Sequence, residues 1–177
     1  MSVKHYQLVA FPIPEHLLYY FSRKLGSEVE ELNSITNCTK SVITKRSFYG
    51  HRIYESLQES KTFKTEPSNF YLKISNTVRV NHPKLPDGRY IKYDMDAEAY
   101  LFIYKHLQQI LKTELIAYVD GALFSHERSK GTKKGIVHRA ISEFMFKNRI
   151  LITETTFENL RKMQYRAKKT SKTFVIR

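Results

Sequence analysis

Between Ala97 and Phe124 the residues Leu101, Tyr104, Leu107, Leu111, Leu115, Tyr118 and Ala122 recur at steps of three or four. That is the helical period, so the stretch predicts one long helix with a single apolar stripe. Such a helix needs other elements to cover its stripe, which makes it the spine of the fold. Gly121 is a point where it can end early, and His126 to Gly135 reads as a basic loop. At the start, Asp96 is a good N-cap and Glu98 suits the first turn, where carboxylates complement the helix dipole.

The chain before the spine reads as a small sheet with short helices. His5 to Phe11 is β-like and is stopped by Pro12 and Pro14, which lack the N–H groups a ladder needs. Glu15 to Leu25 places Leu17, Leu18, Phe21 and Leu25 at helical spacing, with Gly26 just past the end. Ser27 to Cys38 reads as a loop. Lys40 to Lys45 predicts a strand, and Ser47 caps a helix running to about Gln58 with Tyr49, Ile53, Tyr54 and Leu57 inward. Asn69 to Val80 alternates, with Phe70, Leu72 and Ile74 on one side and Tyr71, Lys73 and Ser75 on the other. Pro86, Asp87 and Gly88 form a turn before a further run, Arg89 to Asp94, so these two runs are expected to pair antiparallel.

Beyond the spine, Gly131 to Lys169 predicts two amphipathic helices. The first starts near Gly135 and buries Ile136, Ala140, Ile141, Phe144 and Met145. The second is expected to open on a capping box of Thr155 and Glu158, each side chain serving a backbone N–H of the first turn. Phe157, Leu160 and Gln164 then point inward, while Arg161, Lys162, Tyr165, Arg166, Lys168 and Lys169 cover the remaining surface. The pair reads as a helix-turn-helix. Its connection, Asn148 to Glu154, is longer than the usual turn of about three or four residues. A short extended piece over Ile150 to Thr153 would make it a winged or otherwise altered form.

Charge places the function. The net charge is +13, and residues 126–177 hold 14 Lys and Arg against 4 Asp and Glu, leaving 16 against 13 for residues 1–125. Mixed signs are the usual composition of a merely solvated surface, so a one-signed C-terminal third points to a polyanionic partner. Lys130, Lys133 and Lys134 and the tail from Lys172 to Arg177 extend the basic region on both sides of the second helix. Cys38 is the only cysteine, which excludes an intramolecular disulfide and a Cys-based zinc site and fits a reducing, cytoplasmic setting. No apolar run has signal-peptide or membrane-spanning length, so no membrane partner is expected.

Two other groupings carry chemistry. Tyr71, Lys73, Tyr90 and Lys92 interleave aromatics with cations on the outer face of the expected hairpin, a composition able to stack unpaired bases, although Tyr is common in strands for packing alone. Asp94, Asp96 and Glu98 offer hard oxygen ligands for Mg²⁺ and phosphodiester cleavage, against the plainer reading of a helix cap and first turn. The histidines, including His126 and His138, match no zinc spacing, and there is no P-loop, dinucleotide glycine signature or GxSxG elbow.

The segment IVHRAISEFMFKNRILITETTFENLRKMQYRAKK resembles the C-terminal helical part of small basic helix-turn-helix-like proteins of bacteriophages and mobile elements. The resemblance implies a viral or mobile-element setting and assigns no catalytic residue.

The sequence therefore predicts an α+β protein: an α+β part over residues 1–95 with a small antiparallel sheet, then a helical part over 96–177 with the long central helix and a helix-turn-helix-like unit. The expected function is noncatalytic, without cofactor or metal: a duplex-DNA-binding regulator, cytoplasmic and nucleoid-associated, able to work as a homodimer. Arg161, Lys162, Tyr165, Arg166, Lys168 and Lys169 would meet the groove and backbone, and Lys130, Lys133 and Lys134 the flanking phosphates. The alternatives are an assembly protein of a phage-like particle, an RNA or single-strand binder, and a Mg²⁺-dependent nuclease.

Overall fold

A computed structural model describes residues 6–25, 29–31, 39–43, 46–59, 68–75, 93–128 and 135–174. Along them run β1 (Tyr6–Ala10), a 3-10 turn (Glu15–Leu17), α1 (Leu18–Lys24), β2 (Val29–Glu31), β3 (Thr39–Ile43), α2 (Phe48–Glu55), β4 (Leu57–Glu59), β5 (Phe70–Ser75), β6 (Tyr93–Met95), α3 (Ala97–Arg128), α4 (Ile136–Lys147) and α5 (Glu154–Phe174). The fold is α+β with a long central helix. Two compact units divide the chain, residues 1–104 and 105–177, and the division falls inside α3.

In the first unit, four strands are ordered β1-β5-β3-β2 and a separate pair is β4-β6. β5 alternates as expected: Phe70, Leu72 and Ile74 are at most 1% exposed. It is antiparallel to β1, from Tyr6 opposite Ser75 to Ala10 opposite Tyr71, and parallel to β3, from Thr39 beside Phe70 to Ile43 beside Ile74. The larger sheet is thus mixed, where an antiparallel one was expected. Over residues 70–75 both edges of β5 are occupied, so this part of the run does not pair with Tyr93 or Asp94. β6 pairs instead with β4, Leu57 opposite Met95 and Glu59 opposite Tyr93. Residues 76–92, including the expected turn, lie outside the described residues.

Two further corrections concern short strands. β2 lies within what reads as a loop, because three residues, Val-Glu-Glu, carry too little alternation to signal a strand; the pairing with β3 makes it one. α2 begins as expected, with the Ser47 hydroxyl accepting the Gly50 N–H at 3.0 Å, but it stops at Glu55 rather than near Gln58. The Ser56 N–H and hydroxyl both return to the last turn, the hydroxyl to the Ile53 carbonyl, and the chain leaves as β4. Tyr49 and Ile53 are buried and Tyr54 and Leu57 half-buried.

Aromatic side chains tie β1, α1 and the start of α3 together. Phe11 meets Tyr100 edge-on at 5.0 Å between centroids, Tyr100 stacks with Tyr104, and Tyr104 meets Phe21 edge-on, both at 5.8 Å. Each such pair contributes about 0.5–1.5 kcal/mol beyond its buried area. The Tyr100 hydroxyl donates to the Pro12 carbonyl at 2.7 Å. The Asn69 side chain accepts the Ile13 N–H and donates to the Ile13 carbonyl, satisfying backbone groups that the prolines on either side leave outside any ladder.

In the second unit, Leu107, Leu111, Leu115 and Val119 of α3 are at most 2% exposed and recur every fourth residue. The buried row of α3 thus runs through Ile103 and Val119, while Leu101, expected inward, is 48% exposed. Both choices satisfy the helical period, which fixes a spacing and leaves the face to the neighbours. Gly121 does not end the helix: α3 continues to Arg128, so His126 to Arg128 are helical where a loop was expected. Ala140, Ile141, Phe144 and Met145 of α4 and Thr156, Leu160 and Gln164 of α5 complete this core, with Ile136 half-buried. Phe144 packs on the Tyr118 ring at 5.7 Å, and the Tyr118 hydroxyl donates to Glu143 at 3.2 Å and accepts from Lys147 at 2.8 Å. That hydrogen bond holds the Lys147 ammonium above its ordinary pKa, so the link persists across the neutral range. No helix among the described residues is long and apolar enough to cross a membrane.

Candidate nucleic-acid interface

α5 is placed by its cap and by its buried row. The Thr153 hydroxyl accepts the Thr156 N–H at 3.1 Å and lies 2.7 Å from the Thr156 hydroxyl, and the Phe157 N–H reaches the Thr153 carbonyl. The helix therefore starts two residues ahead of the expected box. Thr155 is already inside the first turn and exposed, and Glu158 pairs with Arg161 at 3.3 Å. Thr153 satisfies a first-turn N–H through a threonine pair, a pattern that the serine or threonine to glutamate rule does not capture. Phe157 touches the His138 ring of α4, with centroids 4.5 Å apart.

With Leu160 and Gln164 buried, the opposite side of α5 is fixed. Arg161, Lys162, Tyr165, Arg166, Lys168 and Lys169 are all exposed, Tyr165 at 68%. Arg161, Tyr165 and Lys169 follow one another at single turns, and Lys162, Arg166 and Lys169 form an adjoining row. Glu154 and Glu158 stand at the start of the helix, and from Asn159 to Phe174 there is no carboxylate. Acid first and base last also suits the helix dipole. The dipole, however, does not call for cations two or more turns from the C-terminal end, where Arg166, Lys162 and Arg161 stand. Lys130, Lys133, Lys134 and the residues after Phe174 lie outside the described residues.

α4 reaches α5 through a connection of Asn148–Thr153. The Arg149 N–H donates to the Phe146 carbonyl at 3.1 Å and the Ile150 N–H to the Met145 carbonyl at 2.9 Å. Arg149 has φ +52°, and Ile150 and Met145 are both buried, 3% and 0% exposed. Left-handed residue, paired return bonds and apolar contact together make a Schellman closure. The chain turns tightly, then runs to Thr153 without forming a strand. Phe146, Leu151 and Ile152 are exposed around the bend, at 78%, 52% and 59%. Arg149 was not among the expected site residues. Its backbone state has no sequence signal, since the usual marker of this closure is glycine.

The other two groupings come apart. Tyr71 is only 8% exposed and its hydroxyl accepts the Ser68 N–H at 2.8 Å, so it is unavailable for stacking bases; Tyr90 and Lys92 lie outside the described residues. The Asp96 carboxylate accepts the N–H groups of Glu98 at 3.1 Å and Ala99 at 3.3 Å, the cap expected of it. Asp96 and Glu98 line a cleft of about 370 Å³ with Glu55, Arg52 and Phe102, whereas Asp94 does not. Among the described residues no group of three His, Cys, Asp or Glu is placed to hold a metal ion. No family model, curated protein or solved structure matches the chain.

Proposed function

We propose that the protein is a noncatalytic nucleic-acid-binding protein, a duplex-DNA-binding regulator of phage or mobile-element type acting in the cytoplasm on the nucleoid, and that α5 is its contact helix. The observation carrying this reading is the exposed face of α5, five cations and Tyr165 with no carboxylate after Glu158. A helix about 10–12 Å across fits a major groove, phosphates on both walls are met by long basic side chains, and each one neutralised releases counterions. Arg161 and Tyr165 would reach base edges from mid-helix, and Lys168 and Lys169 would meet phosphates, with Lys130, Lys133 and Lys134 adding further contacts. Paired half-sites would follow from a homodimer.

The test is a salt-titrated binding series on duplex DNA, single strands and RNA. The expected outcome is preference for duplex with a steep salt slope, which falls by about three in Lys162→Ala/Arg166→Ala/Lys169→Ala. Equal binding to all three, or a slope unaltered by the triple change, would remove α5 as the contact helix. A second reading, a particle-assembly protein, draws on Phe146, Leu151 and Ile152, whose exposed apolar surface suits a protein partner.

A further inference from the structure

Two described residues have positive φ, and they bracket α4: Gly135 at +81° and Arg149 at +52°. Glycine takes this conformation without the clash of Cβ against the following carbonyl oxygen, and any other L-residue takes it under strain. The closure of α4 needs that conformation but needs no side chain, since both return bonds come from main-chain N–H groups. Glycine would make them equally well. The two residues before Arg149 are held by the fold, Lys147 by the Tyr118 hydroxyl and Asn148 by the Phe144 carbonyl at 2.8 Å. The Arg149 side chain is exposed and makes no hydrogen bond or ion pair with a described residue. A long cation thus stands where the backbone disfavours it, and no described residue bonds its guanidinium. Backbone strain at such a residue points to a role outside the fold.

We propose that Arg149 is a phosphate-binding residue, a contact made by the bend between α4 and α5 in addition to the face of α5. The planar guanidinium with its fork of N–H donors matches two oxygens of one phosphate, which a lysine ammonium does not. The proposal rests on the nucleic-acid reading above and adds to it a contact off the contact helix.

The experiment pairs thermal melting with salt-titrated duplex binding for the full chain, Arg149→Gly, Arg149→Lys and Lys162→Ala/Arg166→Ala. Arg149→Gly should melt about 2–4 °C higher, from relief of strain. It should also bind about tenfold more weakly, with a salt slope smaller by about one. Arg149→Lys should keep the melting temperature and the slope while losing part of the affinity. Higher stability with unchanged affinity and slope overturns the proposal, as does a lower melting temperature, which would show that the fold uses the side chain. Unaltered binding by Arg149→Gly while Lys162→Ala/Arg166→Ala weakens it removes Arg149 alone. Absence of salt-dependent binding by the full chain removes the nucleic-acid reading and Arg149 with it.

Discussion

The two units of the chain reach order by different means. In residues 1–104, groups far apart in sequence hold one another: Asn69 serves Ile13, Tyr100 serves Pro12, and rings from β1, α1 and α3 touch in series. In residues 105–177, most of the devices are local, a buried row every fourth residue, a threonine cap and a Schellman closure, and Tyr118 alone links α3 to Glu143, Phe144 and Lys147 of α4 in the bonds and ring contacts described above. Charge divides along the same line. Residues 1–104 carry 14 Lys and Arg against 11 Asp and Glu, residues 105–177 carry 16 against 6. An aromatic interior needs little charge beside it, whereas a helix fixed by a narrow buried row leaves most of its circumference free for cations.

The largest effect that can break this contrast is a core deletion in each unit. Leu160→Ala should cost about 2–5 kcal/mol and Phe70→Ala about 3–5 kcal/mol, both from fully packed sites. Hydrogen exchange should rise in α4 and α5 for the first and in β1, β3 and β5 for the second. Exchange rising equally in both units for either variant would show that they are not separately stabilised. Next in size is Gly135→Ala, which should cost about 1–2 kcal/mol through backbone conformation alone, since a Cβ there meets nothing within 4 Å. Denaturant melts check it, and a neutral result would mean that the entry to α4 relaxes without cost.

Thr153→Ala should cost about 1 kcal/mol and Thr155→Ala nearly nothing, because only Thr153 accepts a first-turn N–H. Reversed costs in the same melts would return the cap to Thr155. The smallest expectation concerns His16 in the sheet unit, whose pKa burial lowers from its ordinary 6.5. The folded state favours the neutral ring, so this contribution is present above about pH 6.5 and is lost as pH falls below it. His16→Asn should flatten the decline in stability between pH 7.5 and 5.5; an identical decline would assign it to other groups.

What was legible in the sequence follows the same division. The α+β class, the long helix and the buried residues of α4 and α5 were readable because helical periodicity is a property of neighbouring residues. The partner of β5 was not, since pairing depends on which distant edge is free, and β1 and β3 left none for β6. Tyr71 alternates like a solvent-facing residue and is buried, because alternation separates two faces without telling which of them packing will cover. Among the basic residues, exposure of Arg161, Lys162, Tyr165, Arg166, Lys168 and Lys169 followed from the inward row of Leu160 and Gln164. Thr153 and Thr155 both suit a cap by type, and only backbone geometry separates them. Arg149 carried no signal, because nothing in a lone arginine reports a left-handed backbone.

The order of the larger sheet also sets a timetable. Among the described residues β1 has β5 as its sole neighbour in that sheet, and β3 reaches β1 only across β5. As the chain leaves the ribosome, β2 and β3 can join each other, but β1 has nothing to join until residues 70–75 have emerged. β1 is therefore secured only once β5 has followed it. Closing so long a loop around a mixed sheet is slow, whereas α4 and α5 need only six intervening residues before they meet. During synthesis β1 is the strand of this sheet that waits, its unpaired backbone exposed to whatever chaperone or neighbouring strand arrives first.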